Sequence, residues 1–230
     1  METLTADQLA ALQRLDTCSV ANAIETFDVR LRNEGFADAS IHCMFPKLPP
    51  MVGYAATVRV RCSNPPPQDH TYTNRTDWWN YVVSLPAPRV VVIKDVDDQP
   101  GTGAFLGEVH AHILQALGCS GVITTGSVRD VPAIEALGLS LFAGSIAVSR
   151  AYVHIVDFGN PVEVGGLTVQ PGDLLHGDLH GVLSVPKEIA ADIPAAVARR
   201  ADREKKVIAL CKSGEFSLAK LREAVKGIFD

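Results

Sequence analysis

Gly121-Val122-Ile123-Thr124-Thr125-Gly126-Ser127-Val128-Arg129-Asp130 is the stretch on which the reading of this chain turns. Its first five residues are uncharged and rich in apolar and β-branched side chains, the pattern of a strand buried on both faces within a parallel sheet. The run ends in GSVRD, an arginine and an aspartate side by side where a buried strand stops, and a short helix to residue 137 follows. Upstream, Val90-Val91-Val92-Ile93 predicts a second buried strand, residues 95–103 a turn, and residues 106–117 a helix. Strand, helix, strand, helix is the rhythm of βαβ units.

Further out the pattern changes. Residues 141–143 predict a short strand, Pro161-Val162-Glu163-Val164 and Leu167-Thr168-Val169 flank a Gly165-Gly166 turn, and residues 174–185 read as strands broken at Gly177 and Gly181. Toward the N-terminus, Leu4, Leu9, Leu12 and Leu15 recur on one side of a helix, and residues 19–27 predict a second. Residues 33–53 form a connection ending in Pro49-Pro50, before a strand over residues 55–61. SNPPPQDHTYTNRTDWWNY (63–81) follows, its three prolines excluding a helix there. Trp78 and Trp79 read foremost as the apolar side of a short helix packed on the core, and otherwise as part of a lid. Residues 186–210 and 218–228 are helical and charged on one face. The whole is a mixed α/β chain, a layer of parallel strands and helices joined to a β-rich layer, read as one domain over residues 1–230 with N- and C-terminal helices.

Composition narrows the function. With 47% hydrophobic and 20% charged residues, 230 residues bury a sizeable core, which excludes a disordered tail protein. A net charge of −5, with both signs interspersed, gives no footprint for a nucleic-acid backbone. No apolar run is long enough for a membrane span, so a cytoplasmic protein acting on small molecules or proteins is expected. Cys18, Cys43, Cys62, Cys119 and Cys211 are odd in number and lack CxxC spacing; they read as reduced structural thiols.

Two pairs could carry chemistry. Gly107-Glu108 opens a helix, and Arg129-Asp130 lies just beyond a strand, where parallel sheets bind ligands. The amides at the helix start attract an anion, and Gly107 allows its close approach. Glu108 would repel that anion unless a divalent cation lies between them; Glu108 and Asp130, with water, are a Mg²⁺-type ligand set. Arg129 would hold a carboxylate or an enolate oxygen. That set suits a 2-keto acid whose adjacent C–C bond breaks. The plainer alternative is a surface ion pair beside an ordinary helix cap.

Other candidates are weaker. His110 and His112 point about 200° apart on a helix and cannot share one metal. Asp173, Asp178 and His180 lie in turn-rich sequence, and Asp95, Asp97 and Asp98 read as a solvated loop. Ser127 and Ser145 have no histidine at nucleophile-elbow spacing, and Gly101-Thr102-Gly103 lacks the last glycine of a dinucleotide fingerprint.

Gly53-Tyr54-Ala55-Ala56-Thr57-Val58, GEVHAHILQALGCSGVITTGSVRD (107–130), Val164-Gly165-Gly166-Leu167-Thr168-Val169-Gln170-Pro171-Gly172-Asp173 and Gly177-Asp178-Leu179-His180-Gly181-Val182 resemble the RraA-like family. That family groups regulators of ribonuclease E with 4-hydroxy-4-methyl-2-oxoglutarate aldolases. The resemblance spans about residues 16–195, leaving a C-terminal helical extension over about 186–230. It implies a swivelling β/β/α fold of the phosphohistidine-domain-like kind and homotrimers or homohexamers with active sites between subunits. In the aldolase branch it implies Mg²⁺ or Mn²⁺ held by Asp130, pyruvate contacted by Arg129, substrate bound by the amides of Gly107, Val109 and His110, and Glu108 near the metal's water shell. The expected activity is a class II pyruvate aldolase-type lyase, cleaving or decarboxylating a short 2-keto acid such as oxaloacetate. The rival is a non-catalytic regulatory binding protein. The family's D-G-x-x-R-D is here Thr125-Gly126-Ser127-Val128-Arg129-Asp130, so one carboxylate is missing and altered substrate contacts are expected.

Overall fold

The computed structural model describes residues 3–66 and 75–226. The chain opens with α1 (Ala6–Gln13) and α2 (Thr17–Glu25), then β1 (His42–Cys43), β2 (Met51–Arg61) and α3 (Arg75–Ser84). The centre is β3 (Arg89–Asp95), β4 (Ala104–Leu106), α4 (Glu108–Ala116), β5 (Cys119–Val128), α5 (Val131–Leu137) and β6 (Ser140–Ile146). β7 (His154–Phe158), β8 (Val162–Val164), β9 (Leu167–Val169), β10 (Leu174–Asp178) and β11 (Gly181–Val185) lead to α6 (Ile193–Lys212) and α7 (Leu218–Ala224).

Nine strands join one sheet in the order β1-β6-β5-β3-β2-β10-β11, with β4 on β5 and β7 on β2. β2, β3, β5 and β6 are parallel neighbours, and their register explains the uncharged runs. Ala56, Val91, Val122 and Leu141 form one row across the sheet and pack against Trp78 of α3, Leu114 of α4 and Ile134 of α5. The next row, Thr57, Val92, Ile123 and Phe142, faces away; its last three members pack with Val162, Val164, Leu167 and Val169 of the separate β8–β9 hairpin. Alternate residues thus serve opposite cores, each apolar side chain contributing on the order of 1.5–3 kcal/mol. Gly121 is required by crowding, since a Cβ there would lie 2.2 Å from Met51 Sδ. Helix layer, sheet and hairpin make the swivelling β/β/α arrangement.

A third apolar cluster joins the chain's two ends. Leu12, Val20 and Ile24 pack with Leu174, Leu183, Val185 and Ile193. His176, fully buried, lies 3.2 Å from Leu12 O and 3.0 Å from Thr17 Oγ1, and Asp178 accepts the Thr17 N–H.

Several boundaries differ from the sequence reading. β10 runs through Gly177 unbroken, and the chain reverses at Leu179-His180 instead, where Asp178 accepts the His180 N–H. β7, β10 and β11 do not form a separate layer but extend the main sheet antiparallel to β2 or to one another. Trp78 is fully buried in α3, as the core-packing reading expects. The prolines at 65 and 66 are followed by residues 67–74, which lie outside the described residues, as do the last two positions of the helix expected over 218–228. Among the described residues, no helix is long and apolar enough to cross a membrane.

Candidate active site

Two neighbouring strand ends build the site. β4 pairs parallel with β5, Leu106 beside Val128, and the Arg129 N–H donates to Leu106 O at 3.0 Å. The residue after each strand is thereby brought beside the other, so that α4 and α5 start side by side. Gly107 is the N-cap of α4 and Asp130 that of α5.

Asp130 adopts the left-handed conformation, φ 56° and ψ 33°, which few residues other than glycine, asparagine and aspartate take up. Its Oδ2 accepts the Glu108 N–H at 3.0 Å and lies 3.3 Å from Arg129 Nε. The Glu108 amide first, and the Arg129 guanidinium with it, hold the Asp130 carboxyl below the ordinary carboxylate range, so it is ionised at neutral pH. Asp130 Oδ1 and both Glu108 oxygens accept no hydrogen bond among the described residues. Gly107 is needed here for space rather than for a special φ: a Cβ would stand 2.7 Å from Asp130 Oδ2 and 3.2 Å from Arg129 Cγ.

Gly107, Glu108, Val109, His110, Arg129 and Asp130 all line one cavity of about 300 Å³. Within the first turn of α4, Glu108 N–H is taken by Asp130 and Ala111 N–H by Gly107 O, while the Val109 N–H has no acceptor among the described residues. Arg129 and Asp130 have side chains 39% and 37% exposed, enough for a ligand to reach both. His110 contributes its position in the first turn; its ring lies edge-on to Phe105, and exposed His112 does not line the cavity. The same cavity is lined by Trp78, Trp79, Phe105 and Arg150. Arg150 carried no signal in the sequence, because only the return of the chain after β6 brings it beside β4.

A profile of the RraA-like family, described as Aldolase/RraA, matches residues 17–184. The chain belongs to the RraA-like family. A relative from Halalkalibacterium halodurans, provisionally named 4-hydroxy-4-methyl-2-oxoglutarate aldolase, is 32% identical over 87 residues, or 37% of this chain and 41% of that protein. One from Hahella chejuensis with the same provisional name is 30% identical over 113 residues, 43% of this chain and 69% of its own. Thus the match spans under half the length of the first relative. Among solved structures, RraAS2 of Streptomyces coelicolor, described as an unusual member of the RNase ES inhibitor RraA family, superposes with a TM-score of 0.69 at 20% identity, covering 89% of this chain and 97% of its own. A Pseudomonas syringae protein of unassigned function gives 0.74 at 23% identity, covering 96% and 95%. These likenesses show the RraA-like fold.

Elsewhere in this RraA-like chain the polar residues are structural. Asp95 and Asp97 are not solvated: they are 1% and 8% exposed and, with Cys62, place ligand-type atoms within 4.8 Å of one another. Every carboxylate oxygen of the pair is taken. Asp95 accepts the N–H groups of Asp97 and Gly101, and Asp97 accepts those of Cys62 and Ser63 together with the Ser63 hydroxyl. Burial pushes the Asp95 carboxyl up and the Cys62 thiol up to about 12. A neutral thiol and a carboxylate pair saturated by donors form a brace for the loop leading to β4, not a ligand set. Thr125 joins it, its Oγ1 accepting the Asp95 N–H at 3.0 Å. Ser127 and Ser145 hydrogen-bond each other at 2.6 Å, with no histidine in hydrogen-bond contact among the described residues. Asp173 accepts the Gln170 N–H in a turn.

Proposed function

We propose that this protein is a lyase that breaks the C3–C4 bond of a 2-oxo acid, one carbon beyond the keto group, using a divalent cation. The observation that carries the reading is the left-handed Asp130, clamped on Glu108 N–H beside Arg129 at the mouth of a cavity. The residues fit a hard cation: among the described residues Asp130 Oδ1 and the Glu108 carboxylate accept no hydrogen bond, and both are oxygen donors of the kind Mg²⁺ or Mn²⁺ selects. Asp130 and Glu108 would hold it, and when bound it supplies Lewis-acid polarisation of the keto group.

The chain's own groups do the rest. The start of α4, with Val109 N–H unengaged among the described residues and the helix dipole behind it, receives the substrate carboxylate. Only Nε of the Arg129 guanidinium is engaged among the described residues, so its terminal amino groups donate to the oxygen on which negative charge grows as the bond breaks. In retro-aldol cleavage the C3–C4 electron pair becomes the enolate and the C4 hydroxyl loses its proton, which requires a base. Decarboxylation of oxaloacetate releases CO₂ and the same enolate without that base. The provisional aldolase names of the relatives support the reading.

The test is pyruvate release from oxaloacetate and from 4-hydroxy-2-oxo acids with Mg²⁺ and then EDTA. Turnover is expected to need the cation, to fall at least a hundredfold in Asp130→Asn, which keeps the left-handed backbone accessible, and to fall similarly in Arg129→Ala. Turnover unaffected by EDTA and by both substitutions would refute the proposal. Absence of turnover, with tight binding to a ribonuclease, would instead establish a regulatory binding protein.

A further inference from the structure

The cavity exceeds what a three-carbon acid fills. An apolar cavity of about 150 Å³ already accommodates benzene, and this one measures about 300 Å³, leaving room for a ring beside the acid head group. Beyond the head-group residues described above, its wall includes Trp78, Trp79, Phe105, Ile113, Val153 and Ile155. A small, strongly hydrated acid gains nothing from such a surface, whereas an apolar group removed from water there does.

A second observation concerns the two tryptophans, the only two in the chain. Trp78 is pinned by Tyr81 and Phe158, ring centroids 5.7 and 5.8 Å away. Both Nε1–H groups are buried, and neither has an acceptor among the described residues. A buried indole N–H ordinarily finds a partner, and leaving one unpaired is unfavourable. Phenylalanine or leucine would fill a purely structural position without that cost. Trp79, half-buried on the wall of the cavity that holds Arg129 and Asp130, therefore marks a recognition surface, with the fully buried Trp78 fixed behind it.

We infer that the acid bound here carries a ring-sized apolar group at the end remote from its carboxylate, with Trp79, backed by the buried Trp78, as the specificity-determining side chain. The inference rests on the 2-oxo acid reading for the head group, which Arg129 and the start of α4 receive.

Calorimetric titration of the full-length protein with Mg²⁺ tests it, using pyruvate, oxaloacetate, 4-phenyl-2-oxobutanoate and 4-phenylbutanoate; tryptophan emission is followed in parallel. The phenyl 2-oxo acid is expected to bind at least tenfold more tightly than pyruvate and to alter the emission. Trp79→Ala should bring that ratio close to one, while Trp79→Phe, which keeps a ring, preserves most of it. Equal affinity for pyruvate and the phenyl acid, or a ratio untouched by Trp79→Ala, overturns the inference even if pyruvate binding is metal-dependent. A phenyl preference equally strong in 4-phenylbutanoate, and indifferent to EDTA and Asp130→Asn, supports the ring subsite while overturning the 2-oxo acid head.

Discussion

Gly107→Ala probes the site through one methyl group. The added Cβ would lie 2.7 Å from Asp130 Oδ2, and ordinary contact begins at 3.4 Å, so the carboxylate must retreat by roughly 0.7 Å. Retreat breaks its hydrogen bond to Glu108 N–H. In stability the change is small: the bond is partly exposed and worth about 1 kcal/mol, alanine is a poorer N-cap than glycine, and reduced freedom of the unfolded chain returns ~0.4–1 kcal/mol. A net loss of about 1 kcal/mol lowers Tm by roughly 2–4 °C in a chain of this size. Function is far more sensitive, because a displacement near 1 Å costs up to about a hundredfold in rate. The expected result is kcat/KM for oxaloacetate reduced between about tenfold and a hundredfold at 25 °C, with a parallel loss of Mn²⁺ affinity by calorimetry. Mn²⁺ affinity and turnover both within twofold of the unsubstituted protein would show that Gly107 does not exist to seat Asp130.

Two further outcomes follow from buried groups. Burial works to raise the Asp178 carboxyl, but the N–H groups of Thr17 and His180 outweigh it and hold the carboxyl below its unfolded value of ~3.9; its contribution is complete above that value and lost as pH falls through the folded one. Asp178→Asn should therefore lower Tm by a few degrees at pH 7 and flatten its fall below about pH 4, and an unchanged acid profile in thermal melts would contradict this. Burial pushes Cys62 and Cys119 up to about 12, whereas Cys18 and Cys211 are exposed. A thiol reagent on the native protein should thus modify Cys18 and Cys211 first and reach Cys62 and Cys119 only on unfolding, as peptide mass mapping would reveal.

The parallel centre was legible because its strands are buried on both faces, and an uncharged, β-branched run such as Val90-Val91-Val92-Ile93 suits no exposed position in a fold of this kind. The meeting of Gly107 with Asp130 was legible because two consecutive strand–helix junctions in a parallel sheet open at the same edge. What escaped was long-range. Nothing local in Asp95 or Asp97 reveals that Gly101, Cys62 and Ser63 will surround them with donors, so they looked like solvated turn acids. Nothing within its own strand marks His176, because its partners, Leu12 and Thr17, belong to the opposite end of the chain. Arg150 reached the cavity through tertiary return alone. Gly177 was misread as a break because its role is spatial: a Cβ there would stand 2.9 Å from the Phe142 ring.

The joining of the two ends bears on biosynthesis. The Thr17 N–H finds its acceptor 161 residues later, so at about 5–20 residues per second a ribosome leaves the first two helices without their C-terminal partners for on the order of ten to thirty seconds. During that interval Leu12, Val20 and Ile24 have Val52 and Tyr54 of β2 to pack against but lack Leu183, Val185 and Ile193. A translation product halted before Asp178 would keep this greasy stripe only partly covered, making it a client for chaperones or proteases.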